Sequence, residues 1–139
     1  MMRVSDPDLA YRAFRALEMG RYVYYLQEYV PHAERDIRVF VIGGKVQAAM
    51  ERIGEGWKTN VAQGARVRPL EVDDRIEAMA LSAAKAVGTD YAGVDILPLE
   101  SGEYAIVEIN GIPGWRGLER ATGINMAERL VAYALGASG

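Results

Sequence analysis

Two carboxylates and a side-chain amide lie close together in the second half of this 139-residue sequence. Asp95 stands in one short apolar run, and Glu108 and Asn110 stand in the next. Because side chains alternate between the two faces of a strand, Glu108 and Asn110 share one face, while Val107 and Ile109 point toward the core. A hairpin that pairs the two runs would bring Asp95 beside them. We therefore expect three oxygen donors at one place.

Such oxygen donors have a definite chemistry. Mg²⁺ and Mn²⁺ are usually held by one or two carboxylates together with water and substrate phosphate. Asp95, Glu108 and Asn110 therefore indicate a metal site for phosphoryl transfer. The alternative is the polar face of a half-solvated hairpin, and the residue types alone favour the two interpretations about equally.

Composition excludes several other kinds of protein. The chain has 16 basic and 19 acidic residues and a net charge of -3, so it lacks the basic excess of a nucleic-acid-binding protein. It has no cysteine, which excludes disulfides and thiolate chemistry, and its single histidine, His32, gives little support to a catalytic triad. Neither a signal peptide nor an apolar run of about 20 residues is present, so we expect a cytoplasmic protein without membrane contact.

Three amphipathic segments predict helices that would flank the candidate site. Each segment begins at a capping residue, namely Ser5 or Asp6, Asp74, and Asn125. The predicted helices span residues 5–20, 74–88 and 125–136. Each ends at a glycine, which suits the left-handed position after a helix.

The predicted strands complete an α+β fold. A run rich in aromatic and β-branched residues, residues 22–30, predicts a strand that Pro31 ends. The clearest hairpin joins residues 35–42 to residues 45–53 through a two-glycine turn. Together with the predicted hairpin that carries Asp95 and Glu108, these strands indicate an antiparallel sheet flanked by helices. They do not indicate a doubly wound parallel sheet.

Strand parity in that first hairpin affects which side chains can meet. A two-residue turn would pair Arg52 with Arg35, on the face opposite to Asp36 and Arg38. Arg52 can therefore join the other two in one site only if a bulge or a strand end shifts the register near it.

Several short motifs, in order, resemble the ATP-grasp superfamily and, more narrowly, the carboxylate-amine ligases of the ribosomal protein S6 modification type, which are α-L-glutamate ligases. The motifs are Leu26-Gln27-Glu28-Tyr29-Val30, Asp36-Ile37-Arg38-Val39-Phe40-Val41-Ile42-Gly43, Ala92-Gly93-Val94-Asp95-Ile96-Leu97, Val107-Glu108-Ile109-Asn110, Pro113-Gly114 and Ala121-Thr122-Gly123-Ile124-Asn125. Each motif alone is weak, but their shared order is specific. The resemblance implies the C-terminal ATP-grasp subdomain, with the pre-ATP domain and most of the lid outside residues 1–139.

The activity that the resemblance implies is ATP-driven formation of an amide bond. A substrate carboxylate attacks the γ-phosphate of ATP, and an amine, for which glutamate is a candidate, captures the acyl phosphate. ATP and Mg²⁺ or Mn²⁺ are the implied cofactors. By the family pattern, Asp95, Glu108 and Asn110 hold the metals, with Glu108 between two ions.

The resemblance also implies nucleotide and substrate contacts. Glu28 and Tyr29 would lie along the adenine, and Asp36 would contact the nucleotide. Phosphate, acyl phosphate or substrate would be bound by Arg38, Arg52, Lys58, Thr59 and Asn60, with Arg38 and Arg52 as the candidate catalytic residues. Several of these residues also have an alternative interpretation without a role in binding. Arg38 and Arg52 would then be surface arginines paired with neighbouring carboxylates. Glu28 would be a polar strand residue, and Lys58 a solvated lysine.

Two departures from the family pattern leave the substrate open. The sequence reads Val61-Ala62-Gln63-Gly64 where these ligases usually carry His-Arg-Gly-Gly, and Ile112-Pro113-Gly114-Trp115 where Ser-Pro-Gly-Leu is commoner. The expected substrates are a small-molecule or peptide carboxylate and an amine, and the expected protein partner is a second copy or a complementing N-terminal chain. The competing hypotheses are a non-catalytic remnant that binds nucleotide or dimerises, and a simple metal-binding α+β domain.

Overall fold

The structure is a computed structural model that describes residues 2–32, 34–54 and 66–136. The chain divides into two compact units, Met1–Val30 and Pro31–Gly139. Within the described residues, no helix is long and apolar enough to cross a membrane.

The first unit contains helix α1, Pro7–Met19, which forms where the sequence predicts it. Asp6 caps its start, because the Oδ1 atom accepts a hydrogen bond of 2.9 Å from the backbone N–H of Leu9. Gly20 does not take the expected left-handed conformation (φ −79°), and Arg21 after it has φ 52° instead.

The strand predicted at residues 22–30 is wrong, because the structure forms no strand over these residues. Their composition gives a high β propensity, but a strand also needs a neighbour that accepts and donates its backbone hydrogen bonds. Most of the large side chains here are exposed, including Tyr22, Val23, Tyr25 and Leu26. Local contacts remain, such as the stacked rings of Phe14 and Tyr24, with centroids 5.5 Å apart.

The second unit is built on a five-stranded antiparallel sheet in the order β3-β2-β1-β4-β5. The strands are β1 Arg35–Ile42, β2 Lys45–Ile53, β3 Arg66–Pro69, β4 Tyr91–Pro98 and β5 Tyr104–Asn110. Both predicted hairpins, β1-β2 and β4-β5, are present. The α+β prediction is therefore confirmed.

Three helices accompany this sheet: α2 Asp74–Ala86, α3 Arg116–Thr122 and α4 Met126–Ala134. The cap of α2 is Asp73 rather than Asp74, and its carboxylate accepts the N–H of Ile76 at 2.8 Å. Asn125 caps α4 as predicted, accepting the N–H of Glu128 at 3.1 Å. Helix α3 was not predicted, because it has seven residues and no side-chain cap to mark its start.

Apolar side chains cover parts of both faces of the sheet. On the first face, alternate residues of β1 and β4 pack against α2; this cluster includes Ile37, Val39, Val41, Val94, Ile96, Ile76 and Ala80. On the second face, the cluster consists of Phe40, Ile42, Met50, Leu118 and Met126. The even-numbered residues of β1 therefore lie on the second face, where α3 packs.

A β-bulge near the turn sets the register of the first hairpin. Val41 pairs with Val46, but Phe40 pairs with Ala48, so Gln47 is an extra residue in β2. As a result, Arg52 lies opposite Asp36 rather than Arg35. The register shift that Arg52 requires is present, although it lies at the turn end of the hairpin.

The turn itself is held against α4. Gly43 and Gly44 both have positive φ angles, 57° and 72°, as a two-residue hairpin turn requires. The N–H of Gly43 donates to the carbonyl oxygen of Asp90 at 2.7 Å, and the hydroxyl of Tyr133 donates to Oδ1 of Asp90 at 3.1 Å. This hydrogen bond and the charge of Asp90 raise the pKa of Tyr133 above its usual value.

Replacing the two turn glycines should have different effects on stability. A Cβ atom at Gly43 would lie 2.4 Å from Cε2 of Tyr133, whereas a Cβ atom at Gly44 would meet nothing within 4 Å. We expect Gly43→Ala to lower the free energy of unfolding by about 2 to 4 kcal/mol, from backbone strain plus the clash, and Gly44→Ala by about 1 to 2 kcal/mol, from strain alone. Urea unfolding of both variants measures this difference, and equal losses would contradict the tight packing of Tyr133 on the turn.

Candidate active site

Four charged side chains from three neighbouring strands meet on the second face of the sheet. Asp36 and Arg38 come from β1, Arg52 from β2 and Asp95 from β4. The register makes Asp36 the direct partner of Arg52, and Arg38 the direct partner of Asp95. Opposite charges directly across a strand pair attract each other, so the sheet itself brings them together.

The four side chains form a continuous chain of ion pairs in the order Asp36, Arg52, Asp95, Arg38. Arg52 binds Asp36 through Nε-Oδ1 and Nη2-Oδ2 contacts of 2.5 and 2.9 Å. Its Nη2 atom also lies 2.9 Å from Oδ2 of Asp95. Arg38 binds Asp95 through a second pair of parallel hydrogen bonds, here called the fork. In it Nε donates to Oδ1, and Nη2 donates to Oδ2 at 2.7 Å. Paired hydrogen bonds of this kind hold a guanidinium and a carboxylate in one plane.

The network is buried and balanced in charge. Its four residues expose between 6% and 9% of their surface, and two positive charges face two negative ones. Burial of Arg52 opposes its charge and lowers its pKa, but the hydrogen bonds and charges of Asp36 and Asp95 outweigh burial, so the pKa is raised. Arg52 therefore carries its positive charge at neutral pH. The alternative that Arg38 and Arg52 are ordinary surface arginines is wrong.

The second hairpin places Glu108 directly opposite Asp95, as the sequence predicts. Asn110 lies opposite Gly93, two residues along the same face. Glu108 is exposed, and Oδ1 of Asn110 accepts the N–H of Ile112 at 2.9 Å. Asp95, Glu108 and Asn110 thus form a row of oxygen donors, although no group of three or more His, Cys, Asp or Glu side chains in the described part of the chain is arranged to hold a metal.

The inward direction predicted for Val107 is wrong, whereas that of Ile109 is confirmed. The β4-β5 register shifts between Asp95 and Ile96, which leaves Val107 as an extra residue and 42% exposed. Ile109 packs against the first-face cluster. The register shift does not disturb the row of oxygen donors, because the shift lies between Glu108 and the turn, on the side away from Asn110.

The five other predicted residues belong either to the first unit or to the part of the chain outside the described residues. Glu28 and Tyr29 belong to the first unit, where the guanidinium carbon of Arg3 lies 3.7 Å from the centre of the Tyr29 ring. Lys58, Thr59 and Asn60 lie outside the described residues. The roles assigned to all five stay predictions.

Sequence reasoning missed two residues that shape the site, Gly93 and Pro113. A Cβ atom on Gly93 would lie 2.7 Å from Cβ of Pro113 and 3.2 Å from both Cδ and Nη1 of Arg38. The Arg38 side chain therefore runs close over β4, and the buried Pro113 lies beside it. A glycine inside a strand often marks such a close approach, which is the signal that could have found it.

A second ionic cluster lies at the end of the opposite face. Glu51 is almost fully buried and accepts a hydrogen bond of 2.6 Å from Nη1 of Arg35 and another from Nε of Arg68. Arg35 and Arg68 expose much of their side chains. This cluster joins β1, β2 and β3, and thereby anchors the short edge strand.

The fold defines a class of protein. The structure is similar to that of the ATP-grasp ligase PsnB complexed with a phosphomimetic variant of its minimal precursor, Mg and ADP, with a TM-score of 0.60 and 27% sequence identity over 76% of this chain and 34% of that one. The class is therefore ATP-grasp. Residues 10–134 match the RimK-like ATP-grasp domain, and the chain belongs to that family.

Relatives in this family carry ligase names. The tetrahydromethanopterin:alpha-L-glutamate ligase of Methanocaldococcus jannaschii is 44% identical over 112 residues, which cover 78% of this chain and 38% of the relative. The alpha-aminoadipate–LysW ligase LysX of Sulfurisphaera tokodaii is 34% identical over 124 residues, covering 88% and 43%. The chain thus spans about two fifths of the length of these relatives.

Removing one charge from the buried network should destabilise the fold strongly. Asp36→Asn keeps the shape but leaves two arginines to share Asp95, so we expect the free energy of unfolding to fall by about 3 to 5 kcal/mol. Arg75→Gln is the control, because the Arg75–Glu103 pair is exposed and should contribute about 1 kcal/mol or less. Chemical unfolding of both variants tests this, and comparable losses would show that the buried network does not stabilise the sheet.

Proposed function

We propose that this chain is the C-terminal ATP-grasp portion of an ATP-dependent carboxylate-amine ligase. Its membership of the RimK-like family and the ligase names of its relatives support the proposal. The observation that carries it is the adjacency of two structures on one face of the sheet. The buried Asp36–Arg52–Asp95–Arg38 network lies next to the oxygen-donor row of Asp95, Glu108 and Asn110.

The oxygen-donor row fits Mg²⁺ or Mn²⁺. Carboxylate and amide oxygens are the ligands these ions prefer, and the register places all three side chains on one face beside an exposed edge. We assign Asp95, Glu108 and Asn110 as the side chains that hold the metal. A bound divalent ion would supply charge neutralisation for phosphoryl transfer.

The reaction has two steps, and the residues of this chain bind and orient the reactants. A substrate carboxylate oxygen attacks the γ-phosphorus of ATP and ADP leaves; an amine then attacks the acyl carbon, loses a proton and releases phosphate. Arg52 is the candidate contact for the phosphate in transfer, and Asp36 for the nucleotide. Glu28 and Tyr29 would contact adenine, while Lys58, Thr59 and Asn60 would contribute further phosphate or substrate contacts.

The names of the relatives support a proposal for the substrates and for the other parts of the enzyme. We propose glutamate as the amine, because one relative is named as a glutamate ligase. A pre-ATP domain and a lid would have to come from another part of the protein or from a complementing chain, since catalysis of this type needs a closed site that excludes water.

A second candidate function is a nucleotide-binding or dimerising remnant without catalysis. It is favoured by the apolar side chains that the first unit leaves exposed. These are Leu9, Tyr11, Met19, Tyr22, Val23, Tyr25 and Leu26. Exposed apolar patches often mark interaction surfaces. The two candidates differ in whether the oxygen-donor row is needed for the protein to work.

Binding of Mg-ATP tests the proposed function. We expect calorimetric titration to show saturable binding that Glu108→Gln weakens at least about tenfold, because it removes the charge of a metal ligand without burying anything new. Glu103→Gln, an exposed carboxylate near the turn of the same hairpin, is the matched control and should bind like the parent chain. A folded chain that binds no Mg-ATP would favour a dimerising remnant, and a chain that binds equally well as Glu108→Gln would favour nucleotide binding that does not need the oxygen-donor row.

A further inference from the structure

Asp95 has two kinds of partner in the proposed site, arginines and a metal ion. Its carboxylate offers about four lone-pair positions. Oδ2 accepts a hydrogen bond from Nη2 of Arg38 and forms an ion pair with Nη2 of Arg52, and Oδ1 accepts a hydrogen bond from Nε of Arg38. Oδ1 therefore keeps one lone pair that no arginine occupies. A cation can use it without breaking any of these ion pairs.

Arg38 is confined on two sides, by its carboxylate partner and by strand β4. It is bound to Asp95 through two parallel hydrogen bonds. Its Cδ and Nη1 atoms lie within 3.2 Å of where a Cβ on Gly93 would be, and Pro113 closes the same space. Moving Arg38 toward a ligand would break the fork and leave Asp95 less constrained.

We propose that Arg38 is a positioning residue that holds Asp95 for the metal, rather than a catalytic residue that touches the substrate. The ion pair fixes the plane of the carboxylate and leaves one lone pair of Oδ1 to the cation. Gly93 and Pro113 contribute to this positioning, because the space between them and Asp95 is just large enough for the guanidinium of Arg38. This inference rests on the proposed function of the oxygen-donor row.

The opposite possibility makes a distinct prediction. If Arg38 competed with the metal, the cation would displace it, and removing Arg38 would strengthen metal binding by relieving repulsion between like charges. If Arg38 positions Asp95, the fork persists when the metal binds, and disturbing the fork weakens metal binding. Hydrogen-bonded partners of metal ligands commonly change metal affinity about 10- to 100-fold when they are mutated.

Nuclear magnetic resonance of the labelled full chain separates these possibilities. Mg²⁺ is titrated with a non-hydrolysable ATP analogue, while the Nε–H signal of Arg38 and the amide signals of Glu108 and Asn110 are followed. We expect the Glu108 and Asn110 signals to shift and the Arg38 Nε–H to stay protected from exchange with water. Shifts at Glu108 and Asn110 together with loss of Arg38 protection would overturn the inference alone. Absence of shifts with Arg38 still protected would overturn the proposed function, and Arg38 would then be purely structural.

Two variants test the positioning role by binding. Arg38→Lys keeps the charge but cannot form the fork, and Gly93→Ala keeps every charge but crowds Arg38. With the ATP analogue present, we expect each variant to raise the dissociation constant of Mn²⁺ at least about tenfold. Arg35→Lys, on the same strand but paired with Glu51 on the opposite face, should leave that constant within about twofold of the parent value, since both arginines are protonated cations. Unchanged binding in Gly93→Ala and Arg38→Lys would overturn the proposal.

Discussion

The stability of the structure depends on how four charges that are buried in one sheet are paired. Taking Asp36, Arg38, Arg52 and Asp95 out of water is unfavourable for each ion alone, and it becomes tolerable only when each guanidinium meets its carboxylate with good geometry. That geometry comes from three strands held in one register by backbone hydrogen bonds. Strand pairing and ion pairing therefore stabilise each other, and a slip in either would leave a buried charge unpaired.

This dependence explains why the site lies in the middle of the sheet. β1 and β4 are internal strands, so hydrogen bonds to neighbours on both sides restrain their backbones. β5, which carries Glu108 and Asn110, is an edge strand, where solvent and ligands have access. The proposed metal site thus combines one ligand from the rigid interior, Asp95, with ligands from an accessible edge. A rigid ligand supplies geometry, and accessible ligands allow exchange with solvent.

Much of this could be predicted from the sequence, and the failures have physical reasons. Period-two alternation and glycine turns predicted both hairpins, since these signals are local. Residues 22–30 were wrongly predicted as a strand because β propensity cannot show whether a partner strand exists. The oxygen donors were placed beside one another correctly, but their arginine partners were not, because Asp95 and Arg38 pair across 57 positions of sequence. A glycine inside a strand signals a close approach, but only the tertiary fold could show that Arg38 is the side chain that passes close to Gly93.

The single extra residue Gln47 determines how charge is distributed between the two faces. A regular hairpin would set Asp36 opposite Glu51 and Arg35 opposite Arg52, which are pairs of like charge. Shifting the strand by one position puts Arg52 with the aspartates on one face and leaves Glu51 to the arginines on the other. The number of residues in β2 thus determines which face of the sheet each of its charged side chains occupies. An insertion or deletion of one residue between the turn and Met50 would exchange the faces of Glu51 and Arg52, whereas a change of two residues would leave them in place. We therefore expect natural variation in the length of this hairpin to occur in steps of two residues.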